Sequence, residues 1–239
     1  IAETFWVFAG RDDLKFLSFF LPNAIDYSDD GETWRGGYGP RLRNFGQDQI
    51  EKVILALQKD FSTRQAIITI GGFWNSDYDP NVETKDRPCT MFIQFLIRDN
   101  QLDCHVYQRS ADVLWGLFNI NIFEWTFLQE VIASILGTEL GLYYHTVTSL
   151  HYYTDKEQRI QKILDYHLQY NVYEDGKYLA EQTSIQSFKS LDDFYEDINN
   201  CMRIIELVIE ENGSIVIDYQ TIKSPGLRDY LRVVVSYIF

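Results

Sequence analysis

Cysteine is scarce: Cys89, Cys104 and Cys201 are the three in 239 residues. An odd number at irregular spacing argues against a disulfide framework or a zinc ribbon and points to a reducing compartment, the cytoplasm. Basic charge is scarce too, with 21 Lys and Arg against 35 Asp and Glu and a net charge of −14. Such a surface repels a nucleic-acid backbone, which excludes DNA or RNA as a polymer partner. No apolar run reaches the ~18 residues of a membrane span, and no basic-then-apolar stretch opens the sequence. Repeats and low-complexity tracts are missing as well.

Apolar residues make up 46% of the chain, with 16 Phe and 16 Tyr among them. That suffices for a sizeable core in one large domain or two small ones. An acidic molecule repels small anions at long range, so a phosphate-bearing substrate has to meet a local cluster of arginines.

IAETFWVFAGRDD reads as helix ending near Gly10. It starts without a cap, and a segment upstream is expected. Asp30-Gly31 signals a turn, and YGPRLRNFG reads as a Gly/Pro/Arg loop. Ile50, Val53, Ile54 and Leu57 recur at helical spacing over 48–59. Residues 66–70 form a short β-rich run. The run 91–97 is apolar on both faces, which predicts a strand buried on both. Asp99-Asn100 turns it into a second strand over 102–107, a hairpin. A helix is expected over 121–136, a strand over 142–152 and a helix over 156–167. A polar stretch follows, then a helix capped by Ser190 that runs to Glu211, with Gly213 beyond. Helices and antiparallel strands mix without a βαβ rhythm, so the class is α+β.

Chemistry concentrates in three places. In DRPCT, Cys89 sits at the mouth of a strand; an isolated cysteine there is more often an inert core residue. YQRSADV ends the next strand, where Gln108, Arg109 and Ser110 would form a turn offering a guanidinium and a hydroxyl to a phosphate. The plain alternative is a surface turn. A guanidinium near Cys89 would lower the thiol's pKa and favour the thiolate. In SLHYY, His151 and Tyr153 are two apart and share one side of a strand. They suit a sugar hydroxyl, or are a satisfied polar pair. Cys89 with His105 or His151 as a hydrolase leaves the arginines unexplained.

The order Pro-Cys, then QRSADV, then HxY resembles the thymidylate synthase family, which includes the deoxynucleotide hydroxymethyltransferases. AETFWVFAG, YGPRLR, DQIEKVI and STRQAIIT add to the likeness, which covers about residues 2–155. It implies a three-layer α+β domain with a large bent mixed sheet, dimerising through the sheet face. It implies a Cys89 thiolate adding to carbon 6 of a pyrimidine nucleoside monophosphate, so that carbon 5 attacks the methylene carbon of 5,10-methylenetetrahydrofolate. Carried over position by position, Arg109 and Ser110 bind the phosphate beside Gln108. Arg64 reaches the partner subunit's phosphate. Glu3 organises proton transfer at the base carbonyl, and Tyr38 is tied to proton removal at carbon 5. Asp112 lies near the pterin, and His151 and Tyr153 hold the ribose 3′-hydroxyl.

The sequence departs from the family in places. Arg64 is followed by Gln65 where synthases carry two arginines, and Thr90 follows Cys89 where synthases carry histidine. The tryptophan flanking the reaction centre is replaced around residues 24–27, which could admit water and give a hydroxymethyl product. The base reader falls on Ile120 without a gap and on Asn121 with a one-residue insertion; Asn121 is favoured and Asn119 is the alternative. Beyond about residue 170 no resemblance is read, and RVVVSYIF does not match the family's closing tail. Methyl transfer to dUMP stands first and hydroxymethyl transfer to a uridylate or cytidylate close behind. A nucleotide-binding homologue without turnover is the reading from another class.

Overall fold

The computed structural model describes residues 1–72, 76–169, 188–213 and 215–239. Most of the polar stretch between the last two predicted helices, 170–187, falls outside them.

Helix α1, Ala2–Phe8, buries all but Glu3 and ends at Gly10, whose φ of 78° takes the left-handed turn that glycine permits. Helices α2 (Leu14–Phe20) and α4 (Gln49–Lys59) are capped by Asp13 and Asp48, whose carboxylates accept from Phe16 N and Glu51 N. Each such cap stabilises its helix by ~1 kcal/mol. Between them YGPRLR forms α3, Tyr38–Arg43, not the expected loop. Its proline stands in the first turn, where no amide is needed.

Strand β1 is Ile67–Thr69, β2 is Thr90–Arg98 and β3 is Gln101–Asp112. Asp99 and Asn100 turn the hairpin with φ of 49° and 62°, the pairing that a tight two-residue loop requires. β3 runs on through Gln108, Arg109 and Ser110 to Asp112, so the predicted turn there is strand. A π-helical stretch, Val113–Asn121, leads into α5, Ile122–Leu136, which stops at left-handed Gly137. Strand β4, Glu139–His151, then pairs parallel with β3. This β3–α5–β4 crossover is a βαβ unit that the sequence pattern did not reveal. The sheet order is β1-β2-β3-β4, antiparallel except for the last pair.

Only one face of the sheet is buried. Ile93, Phe95 and Ile97 point into the core, whereas Phe92 is 40% exposed and Gln94 and Leu96 are half-buried. The expectation of a strand buried on both faces is corrected accordingly. Helices α3, α4 and α5 cover the buried face. Helix α6, Glu157–Gln169, follows β4, and α7 (Leu191–Glu210) and α8 (Pro225–Ile238) form a further layer over α1. Phe8 joins these layers, stacking on Phe127 of α5 at 5.3 Å and meeting Phe194 of α7 at 5.8 Å. RVVVSYIF, in α8, packs its Val234 and Val235 into the core. Sheet, first helices and outer helices give the expected three-layer α+β domain.

Candidate active site

The pairing of the strands gathers the candidate residues. Cys89 opens β2, and the antiparallel register sets Thr90 opposite Gln108 near the end of β3. The parallel register sets Ser110 beside Ser149 and Asp112 beside His151. Three strand ends, distant in sequence, therefore meet at one edge of the sheet.

Cys89 is half-buried and unoxidised. Arg109 Nη2 lies 3.7 Å from its sulfur, and the same guanidinium donates to the Pro88 and Arg87 carbonyls at 3.0 Å each. The thiol is pushed up from its ordinary value. Burial is the main cause, Arg109 opposes it, and Asp86 adds to it. The expected lowering by the guanidinium is thus outweighed in the free protein, because leaving water disfavours the thiolate more than one cation favours it. No histidine bonds to Cys89 among the described residues, so the hydrolase reading has no base.

Tyr38, the first residue of α3, accepts from Thr90 N at 3.3 Å and Thr90 Oγ1 at 3.1 Å, and Thr90 Oγ1 also accepts from Gln108 Nε2 at 3.0 Å. Burial pushes the Tyr38 phenol well up, and the nearby Cys89 adds to this. Gln108 Oε1 is buried without a partner among the described residues. Tyr78, which sequence reading missed, donates to the Pro88 carbonyl at 2.9 Å, and Arg109 lies 5.7 Å from its ring centre. Its approach depends on Gly71, where a Cβ would stand 2.2 Å from the hydroxyl. Arg41 and Asp77 brace this loop through two nitrogen–oxygen bonds of 2.7 and 2.8 Å in a buried pair.

Asn121 ends the π-helical stretch and is 8% exposed. Asn119 is exposed and spends its amide on the Leu114 carbonyl at 2.7 Å. A wider π turn takes up an extra residue relative to α-helix, so this stretch has room for a one-residue insertion before Asn121. Gly116 leaves room for the amide: a Cβ there would stand 3.0 Å from Asn121 Oδ1. Glu3 of α1 is pushed up to about 7 by burial, with the amine of Ile1 opposing the shift.

The remaining candidates lie at the rim. Asp112 caps the π-helical stretch by accepting from Trp115 N, and the exposed Trp115 ring meets Tyr27 at 5.7 Å. β4 ends at His151, so Tyr153 lies past the strand. Their rings still meet edge to face at 5.4 Å, and Tyr153 is 62% exposed. Arg64 is not part of this group. It is exposed before β1, and its carbonyl accepts from Gln94 on the open sheet face at 2.9 Å. Two hollows elsewhere, about 130 Å³ beside Ile204 and about 480 Å³ beside Asp13, are lined by none of the candidate residues.

A half-buried thiol beside a guanidinium, where three strand ends meet, can serve as a nucleophile next to an anion-binding cation. The chain belongs to the thymidylate synthase family, whose model matches residues 1–199. That match extends past the point near 170 where sequence reading lost the resemblance. The deoxyuridylate hydroxymethyltransferase of Delftia phage PhiW-14 is 36% identical, aligned over 100% of this chain and 70% of its own length. The deoxyuridylate hydroxymethyltransferase of Bacillus phage SP01 is 32% identical over 91% of this chain and 61% of its own length. The crystal structure of thymidylate synthase from T4 phage superposes with a TM-score of 0.56 at 26% identity, over 68% of this chain and 60% of that one.

Proposed function

We propose that the protein transfers a one-carbon unit to carbon 5 of dUMP and releases the hydroxymethyl product, with Cys89 as nucleophile. The observation that carries this reading is the 3.7 Å approach of Arg109 to the Cys89 sulfur. A ligand phosphate held by Arg109 and Ser110 would bring the pyrimidine's carbon 6 to that sulfur. Exclusion of water by the bound ligand would strengthen the guanidinium's pull on the thiolate.

Asn121, an amide that both donates and accepts, pairs with the N3–H and O4 edge of uracil. Glu3, holding its proton near neutral pH, donates at the base carbonyl. Tyr38 assists proton removal at carbon 5, and its bonds to Thr90 fix its hydroxyl. His151 and Tyr153 meet the sugar. The exposed Tyr27–Trp115 pair beside the Asp112 carboxylate fits a flat, amino-bearing pterin. 5,10-Methylenetetrahydrofolate supplies the methylene carbon when bound.

Hydroxymethyl transfer is favoured over methyl transfer by two observations. Two relatives bear that name at 36% and 32% identity. Bulk is also withdrawn where synthases carry a flanking tryptophan: Ala24 is fully buried, and its carbonyl accepts from Trp34 Nε1 at 2.9 Å. The proposal includes a homodimer. The open sheet face carries the stacked Phe92–Tyr107 and His105–Tyr144 pairs together with exposed Leu142. Packing two such faces would bring Arg64, held beside Gln94, toward the partner's site.

Incubation with 5-fluoro-dUMP and methylenetetrahydrofolate tests the reading, with a covalent adduct on Cys89 expected. In turnover with dUMP, the folate emerges as tetrahydrofolate from hydroxymethyl transfer and as dihydrofolate from methyl transfer. Nucleotide binding without adduct or turnover would return the protein to the non-catalytic reading.

A further inference from the structure

Glu124 has no part in the account above, yet its surroundings demand one. It lies on α5 three residues after Asn121 and is 1% exposed; neither carboxylate oxygen makes a hydrogen bond of good geometry among the described residues, the Asn121 amide being the nearest donor. A buried carboxyl group with both oxygens unsatisfied is strongly disfavoured unless it keeps a proton or a ligand completes it. The groups close enough to interact with it come from several elements: the Ile1 amine and Glu3 at α1, Tyr38 on α3, Asn121 before α5 and Tyr143 on β4. Two of these are already assigned to the base and one to proton removal at carbon 5. Glu124 therefore shares its surroundings with residues assigned to the base, and none of the ion pairs within 4.0 Å among the described residues includes it.

We propose that Glu124 and Glu3 share one proton in the floor of the site, and that Glu124 accepts the proton of the water that completes hydroxymethyl transfer. This assignment rests on the hydroxymethyltransferase reading. Burial and the charge of Glu3 both favour the protonated form of Glu124, and the Asn121 amide and the Ile1 amine oppose this; with the shared proton on Glu3 at the base carbonyl, Glu124 is the ionised member of the pair. Like charges held close in low dielectric cannot both ionise easily, so one carboxyl holds the proton while its ionised neighbour is a strong base. The step balances without oxidant or reductant. A water oxygen bonds to the methylene carbon on carbon 5, and its proton passes to Glu124. The exocyclic double-bond electrons become the carbon 5–carbon 6 double bond. The carbon 6–sulfur bond breaks, and its electron pair leaves on Cys89 as thiolate.

Glu124→Gln keeps the shape and removes the base. With [5-³H]dUMP and methylenetetrahydrofolate in a single turnover at enzyme excess, the full chain should release tritium near the wild-type rate. Within that turnover the hydroxymethyl product should form about 100-fold more slowly, the lower range for loss of a positioned base. The covalent nucleotide adduct should build up, and Glu124→Asp should recover part of the product. A parallel slowing of tritium release and product within that single turnover, or product formed at the wild-type rate, overturns the proposal. If Glu124→Gln does not fold, the wild-type pH profile decides. In a single turnover, the rate of product formation relative to that of tritium release should rise with pH as the pair loses its proton, and a flat ratio of the two rates between pH 5 and 8 overturns the proposal. Wild-type protein that releases no tritium overturns the functional reading itself.

Discussion

Arg109 meets Cys89 through backbone and side chain at once. Arg109 N donates to the Cys89 carbonyl at 3.0 Å, while Nη2 stands 3.7 Å from the sulfur. The strand pairing that sets the register also aims the cation, and the two carbonyls held by the guanidinium fix its angle. A lysine has one compact charge and no fork, so it cannot hold both carbonyls and still face the sulfur. Arg109→Lys should lower kcat/KM for dUMP about 100-fold, the equivalent of one or two charge-assisted bonds. Steady-state kinetics check this; a loss of less than about threefold would mean that the guanidinium serves only the backbone.

Thiol reactivity should single out Cys89. Cys104 and Cys201 are fully buried, and burial pushes both thiols far up. Cys89 is half-buried and also raised from 9.0, so its alkylation by iodoacetamide should be slow at pH 7 and climb above pH 9. Peptide mass spectrometry should find label on Cys89 first, with dUMP slowing it. Earlier labelling of Cys201, or a rate already at its plateau at pH 7, would contradict the geometry.

Much of this site was legible because it follows local rules. Asp99-Asn100 between alternating apolar runs announces a hairpin, and the hairpin alone brings Cys89 near Arg109. Ser190 as a helix cap was equally readable, and its hydroxyl accepts from Asp193 N at 3.1 Å. The π-helical stretch over 113–121 has room for the inserted residue that the Asn121 reading asks for. What stayed hidden depends on contacts distant in sequence. The β3–α5–β4 crossover is invisible to a pattern that records only periodicity. The helix at YGPRLR was concealed because Gly and Pro signal a loop, whereas Pro40 sits in a first turn. Glu124 was not singled out, because nothing local marks a helical carboxylate as buried. The pull of Arg109 on the thiol was read with the right sign, but burial, which sequence does not display, outweighs it.

The buried acid pair should leave a mark on stability. Burial pushes Glu3 up to about 7 in the folded chain, from the ordinary 4.5 of a glutamate. Between those values the folded state holds more protons than the unfolded one, so stability falls as pH rises. The contribution is fully present below 4.5 and is lost as pH passes 7. Glu124 is raised as well and acts in the same direction. Melting curves of wild type and Glu3→Gln from pH 5 to 8 should show wild type losing ground toward pH 8. Parallel curves would mean that Glu3 ionises in water rather than in the site.

Gly71→Ala probes the support behind the nucleophile. Its Cβ would stand 2.2 Å from the Tyr78 hydroxyl, which holds the Pro88 carbonyl at 2.9 Å. Tyr78 must swing away, loosening the residue before Cys89 and the ring beside Arg109. Small misplacements of reacting groups are enough to cost about 100-fold in rate. Activity should therefore fall far more than the melting temperature, as kinetics and calorimetry on the same preparation would reveal. Wild-type kcat in this variant would show that Tyr78 is not needed to place Cys89.

The shared-site arrangement makes a prediction that one chain alone cannot. Arg64 is exposed and lies beside the open sheet face, where the Phe92–Tyr107 and His105–Tyr144 ring pairs face outward. If two such faces pack, one subunit supplies Cys89 and Arg109 while the other supplies Arg64 to the same phosphate. Arg64→Ala and Cys89→Ala should each be nearly inactive as pure proteins. Mixed under conditions that exchange subunits, they should regain activity, because each hybrid dimer has one site with both residues intact. Random exchange gives half hybrids, each with one of two sites working, so recovery approaches a quarter of wild type by symmetry of assembly. Sedimentation of Phe92→Asp should meanwhile show loss of the dimer. No recovery in a mixture proven to exchange would place Arg64 outside the partner's site.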